Sequence, residues 1–280
     1  MNRRIIWTQI KWVLGRKESK LAFFILLELC LFNFVRNMSE FQGLDVKEMY
    51  DPLKLLLLSY NRVYFQSDMT LLLMQIYPIL VSLPAGFALM DDFNNGKYIY
   101  LISRVGKREY IVGKMISSFF ATFIVFVIPI LIEMGLSMLC FPMTATGDLS
   151  NLPYLSREYM EQVRRVFLYD LYLQAPVLYS ILGVVCFGVV SGLFGMFTVA
   201  CSALFCFKYR VLLFLPAFLL LNGMRMAAIM CGSARIDFLR YLFLFVDEKG
   251  NPVYYVSVLI GLLLFAGLAT RIFVKKDRII

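Results

Sequence analysis

The 280-residue chain contains no histidine. That excludes His-ligated metal centres and the Ser/His and Cys/His pairs of nucleophilic catalysis. Cysteine is sparse: Cys30, Cys140, Cys186, Cys201, Cys206 and Cys231 include no C-x-x-C, so neither zinc nor thioredoxin-like redox chemistry has support in their spacing. No G-x-x-x-x-G-K-[ST] occurs, because Gly113-Lys114 is followed by Met115 and Gly96-Lys97 by Tyr98. No polar stretch is long enough to hold a nucleotide-binding domain. Charge is low too, at 17% of residues against about 25% in soluble domains. Apolar residues fill the gap: the AVILMFWYC set reaches 60%, and mean hydropathy is +0.74. A soluble fold has too little interior for that much apolar surface. A soluble enzyme, a disordered protein and a disulfide-knotted secreted domain are therefore excluded.

A transmembrane helix needs roughly 20 mostly apolar residues. Six stretches qualify, near 21–35, 69–90, 115–141, 175–200, 211–231 and 253–273. The first is short and carries Glu28 and Asn33. The expected fold is all-α: one polytopic transmembrane domain over 1–280 with six membrane-spanning helices. Orientation follows from the Lys and Arg of alternate segments. With the N-terminus inside, the inner segments hold 17 basic and 5 acidic residues, and the outer loops hold 10 and 12. Both termini are expected in the cytoplasm of a multi-pass cell-membrane protein. The net charge of +9 then faces an anionic lipid leaflet, and no basic–aromatic patch suggests nucleic acid. The first apolar run starts late and lacks a small-residue cleavage site, so it is expected to be a span and not a cleaved signal.

Residues 1–20 form a separate element. Ile6, Ile10, Val13 and Leu14 fall at helical spacing beside Trp7, with basic residues opposite, which predicts an interfacial amphipathic helix. Residues 154–173 read as an amphipathic surface helix. Residues 236–246 are apolar but too short to span, and read as an interfacial or re-entrant element. Asn37-Met38-Ser39 matches a glycosylation acceptor.

The longest inner loop, residues 91–114, has a pattern of its own. Asp91-Asp92 leads, and Asn94-Asn95-Gly96 makes a turn. A short apolar run follows over Tyr98–Ile102. Ser103-Arg104, Arg108-Glu109-Tyr110 and Gly113-Lys114 come next. In this order and spacing the loop resembles the one after the second span of ABC-2 type transporter membrane subunits. Asp91 or Asp92 stands for the family's acid, Gly96 for its turn, and Val105 replaces its usual proline. The resemblance implies a short cytoplasmic coupling helix that docks on a separate ABC ATP-binding subunit. No cofactor would bind this chain, and ATP would be used by the partner. A second permease subunit, identical or not, would complete the transporter in the lipid bilayer. Tyr98, Tyr100, Leu101 and Ile102 are the expected anchors, with Arg104 and Arg108 pairing with a partner's acids.

Glu28, Glu133 and Arg225 are the ionisable residues inside the expected spans, where charge is costly and points to function. Glu133 and Arg225 both fall in the outer half and could pair. Glu28 lies nearer the midplane, facing a translocation path or making a helix–helix hydrogen bond. Gly188 and Gly192 form a G-x-x-x-G helix-packing face. Pro78, Pro84, Pro129 and Pro216 should kink their spans. Three rival readings keep the architecture or part of it: a gradient-driven carrier, a membrane-embedded enzyme, and a non-transporting scaffold or immunity protein. The carrier would need internal repeats, which the sequence does not display. The enzyme would need a catalytic cluster at one depth, and adjacent Asp91 and Asp92 point to different sides of a helix.

Overall fold

The computed structural model describes residues 3–43, 51–59, 68–143, 168–205, 209–244 and 251–275. The expected surface helix over 154–173 lies mostly outside these residues. What is described is almost all helix: α1 (Arg3–Leu14), α2 (Lys17–Glu40), α3 (Asp68–Leu80), α4 (Phe87–Asn94), α5 (Lys97–Val105), α6 (Lys107–Cys140), α7 (Tyr169–Gln174), α8 (Pro176–Leu204), α9 (Leu215–Met230) and α10 (Pro252–Lys275). Short 3₁₀ turns at Arg210–Phe214, Ala234–Ile236 and Phe238–Leu242 complete it.

Five segments are long and apolar enough to cross a membrane: α2, α6, α8, Arg210–Met230 and α10. This is consistent with a membrane protein. The stretch near 69–90, expected as one span kinked at Pro78 and Pro84, is not a single helix. α3 has 13 residues, or about 20 Å of helix, against the roughly 30 Å of a hydrocarbon core. Residues 81–86 then form turns, and α4 resumes at Phe87. The cause is local. Pro84 has no N–H for the Leu80 carbonyl, which instead accepts from Leu83 N in a tighter turn. The buried Pro84 carbonyl accepts from Ser19 Oγ of α2 at 2.8 Å.

α6 and α8 form the centre, with 56% of each apolar stretch buried, against 22–28% in α2, Arg210–Met230 and α10. Glycine makes this contact close. A side chain at Gly188 would collide with Val127, at Gly192 with Phe119, and at Gly195 with Thr122. Gly188 and Gly192 are thus placed at a seam within this one chain. Tyr77 of α3 packs on Phe126 and Phe187, its hydroxyl 3.1 Å from Ser191 Oγ.

α1 forms as expected, but its apolar stripe faces protein. Ile10 and Val13 are buried, and Gln9 sits against Gly113 of α6, where a Cβ would meet Gln9 Oε1 at 2.8 Å. Trp7 and Trp12 point outward. The α2 glycosylation triplet is buried at its key residue: Asn37 Nδ2 donates to the Leu55 carbonyl at 2.9 Å, so the side chain is not presented for modification. Where the expected 236–246 element is described, it is not an α-helix but a 3₁₀ turn, Phe238–Leu242, preceded by another at Ala234–Ile236. Asp237 caps the Phe238–Leu242 turn through Leu239 N, and Phe238 stacks on Tyr255. Burial pushes the Asp237 carboxyl above its usual range, against the pull of the Leu239 amide, Arg240 and Arg225.

The bundle has two ends. The basal end holds α1, α4, α5 and the start of α6. The distal end holds residues 51–59 and 236–244, joined where Leu244 N donates to the Leu58 carbonyl at 2.8 Å.

Candidate functional site

The loop over 91–114 is a folded unit at the basal end. α4 runs through Asp91 and Asp92 to Asn94. Gly96 turns the chain at φ +66°, α5 spans nine residues, and Gly106 at φ +87° turns it again into α6. Both conformations are left-handed, which only glycine adopts without strain. Val105, where the resembling family has proline, ends α5, and Gly106 supplies the bend.

Asp91 and Asp92 share Arg16 and otherwise anchor different elements. Asp92 is buried. Its Oδ2 lies 2.5 Å from Lys114 Nζ and accepts from Tyr110 OH at 2.7 Å. Tyr110 and Lys114 are one turn apart on α6, so a single carboxylate is held by one face of that helix. Arg16, at the α1–α2 corner, lies 3.7 Å from Asp92 Oδ1 and 2.9 Å from Asp91 Oδ2, and also donates to the Ala88 carbonyl. Asp91 Oδ1 reaches Arg210, 2.7 Å away, which approaches Glu18 at 3.9 Å. One acidic pair therefore ties α4 to α1, α2, α6 and the segment before α9. Arg16 and Arg210 read in the sequence only as inner-side charge. Each adjoins a helix break, but nothing local marks its partner.

α5 has two faces. Tyr98, Leu101 and Ile102 pack against the body. Tyr98 meets Phe93 at 4.5 Å between ring centroids, Tyr110 at 5.8 Å and Phe273 of α10 at 6.2 Å. Lys107 covers the Phe273 ring. The opposite face carries Ile99, 69% exposed, and Tyr100, 75% exposed, with Ser103 and Arg104. Lys97 and Arg108 are exposed beside it. Of the anchors expected from sequence, Tyr98, Leu101 and Ile102 are turned inward. Tyr100 remains outside, and Ile99 joins it. A 3.6-residue period marks two faces on so short a helix but does not say which one is covered. Glu109 is exposed in the first turn of α6, where a carboxylate suits the helix dipole. Gly113 is the contact that lets α1 approach.

The intramembrane residues do not converge. Glu28 is on the exposed face of α2, among Leu21, Phe24, Leu31, Phe32 and Val35. Arg225 is half-buried near Asp237 and does not pair with Glu133. Glu133 is buried at the distal end, where Oε1 accepts from Asn33 Nδ2 at 2.7 Å and Leu57 N at 2.9 Å. The 51–59 segment that supplies Leu57 comes from far along the chain, which is why sequence depth alone suggested another partner. Among the described residues, no cluster of His, Cys, Asp or Glu could hold a metal ion. Compared with known proteins, the chain matches no family model, no curated protein and no solved structure.

Proposed function

We propose that this chain is the membrane-spanning subunit of an ATP-driven exporter of the ABC-2 type, with α5 as its coupling helix. The observation that carries the reading is the division of α5. Its inner face is bolted to α4, α6 and α10, and its outer face presents Ile99 and Tyr100 beside Lys97, Arg104 and Arg108. A turn between two spans needs no exposed isoleucine and tyrosine. An apolar, acid-rimmed cleft on a separate ATPase chain would take both the aromatic anchor and the arginines. The Asp92–Lys114–Tyr110 contact then passes any displacement of α5 to the foot of α6, and Arg16 passes it to α1 and α2.

In this reading the chain performs no chemistry, and ATP is bound and hydrolysed by its partner. The basal end faces the cytoplasm, in keeping with the 17 basic residues of the inner segments. α3, the turns at 81–86 and α4 together make the sixth crossing. α1 lies at the bilayer surface, with Trp7 and Trp12 at headgroup level. A second permease subunit covers the exposed face of α2, because Glu28 among apolar side chains is poorly suited to lipid. ATP-driven closure moves α5, rocks the spans and expels an amphiphilic cargo from between the subunits.

The test is co-purification from mild detergent, comparing wild type with the Ile99→Ala/Tyr100→Ala/Arg104→Ala variant. A P-loop ATPase should accompany the wild type and be lost from the folded variant. If no ATPase accompanies the wild type from well-solubilised host membranes, docking is wrong, and a gradient-driven carrier or a non-transporting scaffold or immunity protein takes its place.

A further inference from the structure

Glu133 is 1% exposed, and among the described residues no lysine or arginine compensates it. Its two oxygens differ. Oε1 accepts from Asn33 Nδ2 and Leu57 N, and the Cys30 thiol adds a weak hydrogen bond to the same carboxyl group. Oε2 is buried with no hydrogen-bond partner. Two further buried oxygens are in the same position: Asn37 Oδ1 and Ser137 Oγ. These residues are not scattered. Arg16 at the foot of α2 and Lys114 at the foot of α6 meet the same Asp92, so the two helices run in the same direction from the basal end. Asn33 and Glu133 are bonded and therefore level. Asn37 and Ser137 each stand one turn farther on, about 6 Å toward the distal end. Asn33 and Asn37 both donate to the Leu55 carbonyl, so their amide hydrogens are directed toward residues 51–59.

The wall between α2 and α6 thus presents a carboxylate oxygen, an amide oxygen and a hydroxyl, with no fixed positive charge. An isolated buried carboxylate costs several kcal/mol and is not kept in that form. A carboxylate oxygen and an amide oxygen that no side chain donates to, with one hydroxyl on the same wall, suit a proton carried on Oε2, or a hard cation that takes oxygen ligands. We propose that Glu133 binds one monovalent cation, a proton or an alkali metal ion, at Oε2, and that this charge locks residues 51–59 into the distal end. The lock has a further consequence for the fold. The same segment receives Leu244 N at the Leu58 carbonyl and Thr70 Oγ1 at the Leu57 carbonyl, so the bound charge also steadies α3 and the 236–244 turns. Among the described residues, the titratable group facing Glu133 is the Cys30 thiol of α2; Asp51 and Lys54 of the segment itself turn to Tyr172.

The experiment is thermal unfolding of the purified chain in detergent between about pH 5 and about pH 10. It is run in sodium chloride and in N-methylglucamine chloride, for wild type, Glu133→Gln and Cys30→Ala. Wild type should lose about 5 °C or more as the pH rises in N-methylglucamine. Cys30→Ala should show the same loss, and Glu133→Gln should not. If sodium restores wild type at high pH but leaves Glu133→Gln unchanged, the ligand is the alkali ion. If sodium has no effect, it is the proton. Equal pH and sodium responses in wild type and Glu133→Gln overturn the proposal. Should Glu133→Gln fail to fold, infrared spectra of Glu28→Gln protein decide the question. A protonated carboxyl band lost at high pH, or a band shift on adding sodium, supports the site, and the absence of both overturns it.

Discussion

Two buried carboxyl groups, Asp92 at the basal end and Glu133 at the distal end, are built in opposite ways. Asp92 meets Lys114, Tyr110 and Arg16, so its charge is matched by side chains of the same molecule. Glu133 meets Asn33 and the Leu57 amide, neutral donors that leave one oxygen unpaired. The same helix, α6, supplies Lys114 to one site and Glu133 to the other. The contrast follows the charge distribution of the chain: the basal segments are rich in lysine and arginine, and the distal ones are not. Asp92 finds fixed cations in Lys114 and Arg16, whereas Glu133, buried between α2 and α6, must take a mobile one. This gives a permanent joint where α5 is attached and a reversible one where residues 51–59 close the opposite end.

The largest expected effect breaks the permanent joint. Lys114→Met strands Asp92 in a buried setting and should destabilise the folded chain by about 3–5 kcal/mol. The Lys114→Met/Asp92→Asn double variant should recover most of that loss in thermal unfolding. Glu133→Gln, by contrast, should cost less than about 1 kcal/mol near neutral pH, because a neutral amide preserves the acceptor for Asn33 and Leu57. Equal losses for the two single variants would erase the distinction between the sites.

Gly192→Leu tests the seam that holds both ends in register. Overpacking α8 against Phe119 should cost about 1–3 kcal/mol and lower the unfolding temperature without altering its pH dependence. A smaller effect probes the fixed charge of the distal segment. Burial lowers the Lys54 amine from 10.5 to about 8, with Asp51 opposing the shift. A depressed pKa for a base means that the folded state resists the charged form. Stability is therefore lowest below about pH 8 and recovers as the pH rises toward 10.5. Lys54 is partly exposed, so the discounted gain from Lys54→Met at neutral pH is about 1 kcal/mol, fading above pH 10.5. The smallest effect belongs to the outer face of α5. Ile99→Ala and Tyr100→Ala should change stability by no more than about 0.5 kcal/mol. Tyr98→Ala, which removes a ring packed on Phe93, Tyr110 and Phe273, should cost about 3–5 kcal/mol. A reversal of that order would mean that the faces of α5 are assigned the wrong way round.

Much of the site was legible before folding. Gly96 announced a turn and has a left-handed φ, and the residues from Tyr98 to Ile102 were helical in pattern and form a helix. Gly188 and Gly192 marked close packing, and each faces α6. Other features were not legible. Tyr98 and Tyr100 are chemically equivalent in the sequence, yet one is packed against the body and the other is exposed. Arg16 looked like one more inner-side charge and is the link between α4 and the α1–α2 corner. The span expected over 69–90, with kinks at Pro78 and Pro84, is broken instead: α3 runs through Pro78, and the chain turns over residues 81–86 around Pro84.

By itself the sequence determined the class of molecule, the placement of five of the six long apolar helices it predicts, and the gradient of charge between its ends. These are sums over neighbouring residues, and hydrophobic transfer and helix propensity act on such sums locally. Tertiary structure alone decided which face of α5 is outward, that Asp92 belongs to Lys114, and that Glu133 receives Asn33 and Leu57 and not Arg225. Those outcomes depend on groups 22, 76 and 100 positions apart in the chain, brought together by packing. Burial without a partner is a property of the assembled space and has no signature in a run of residues.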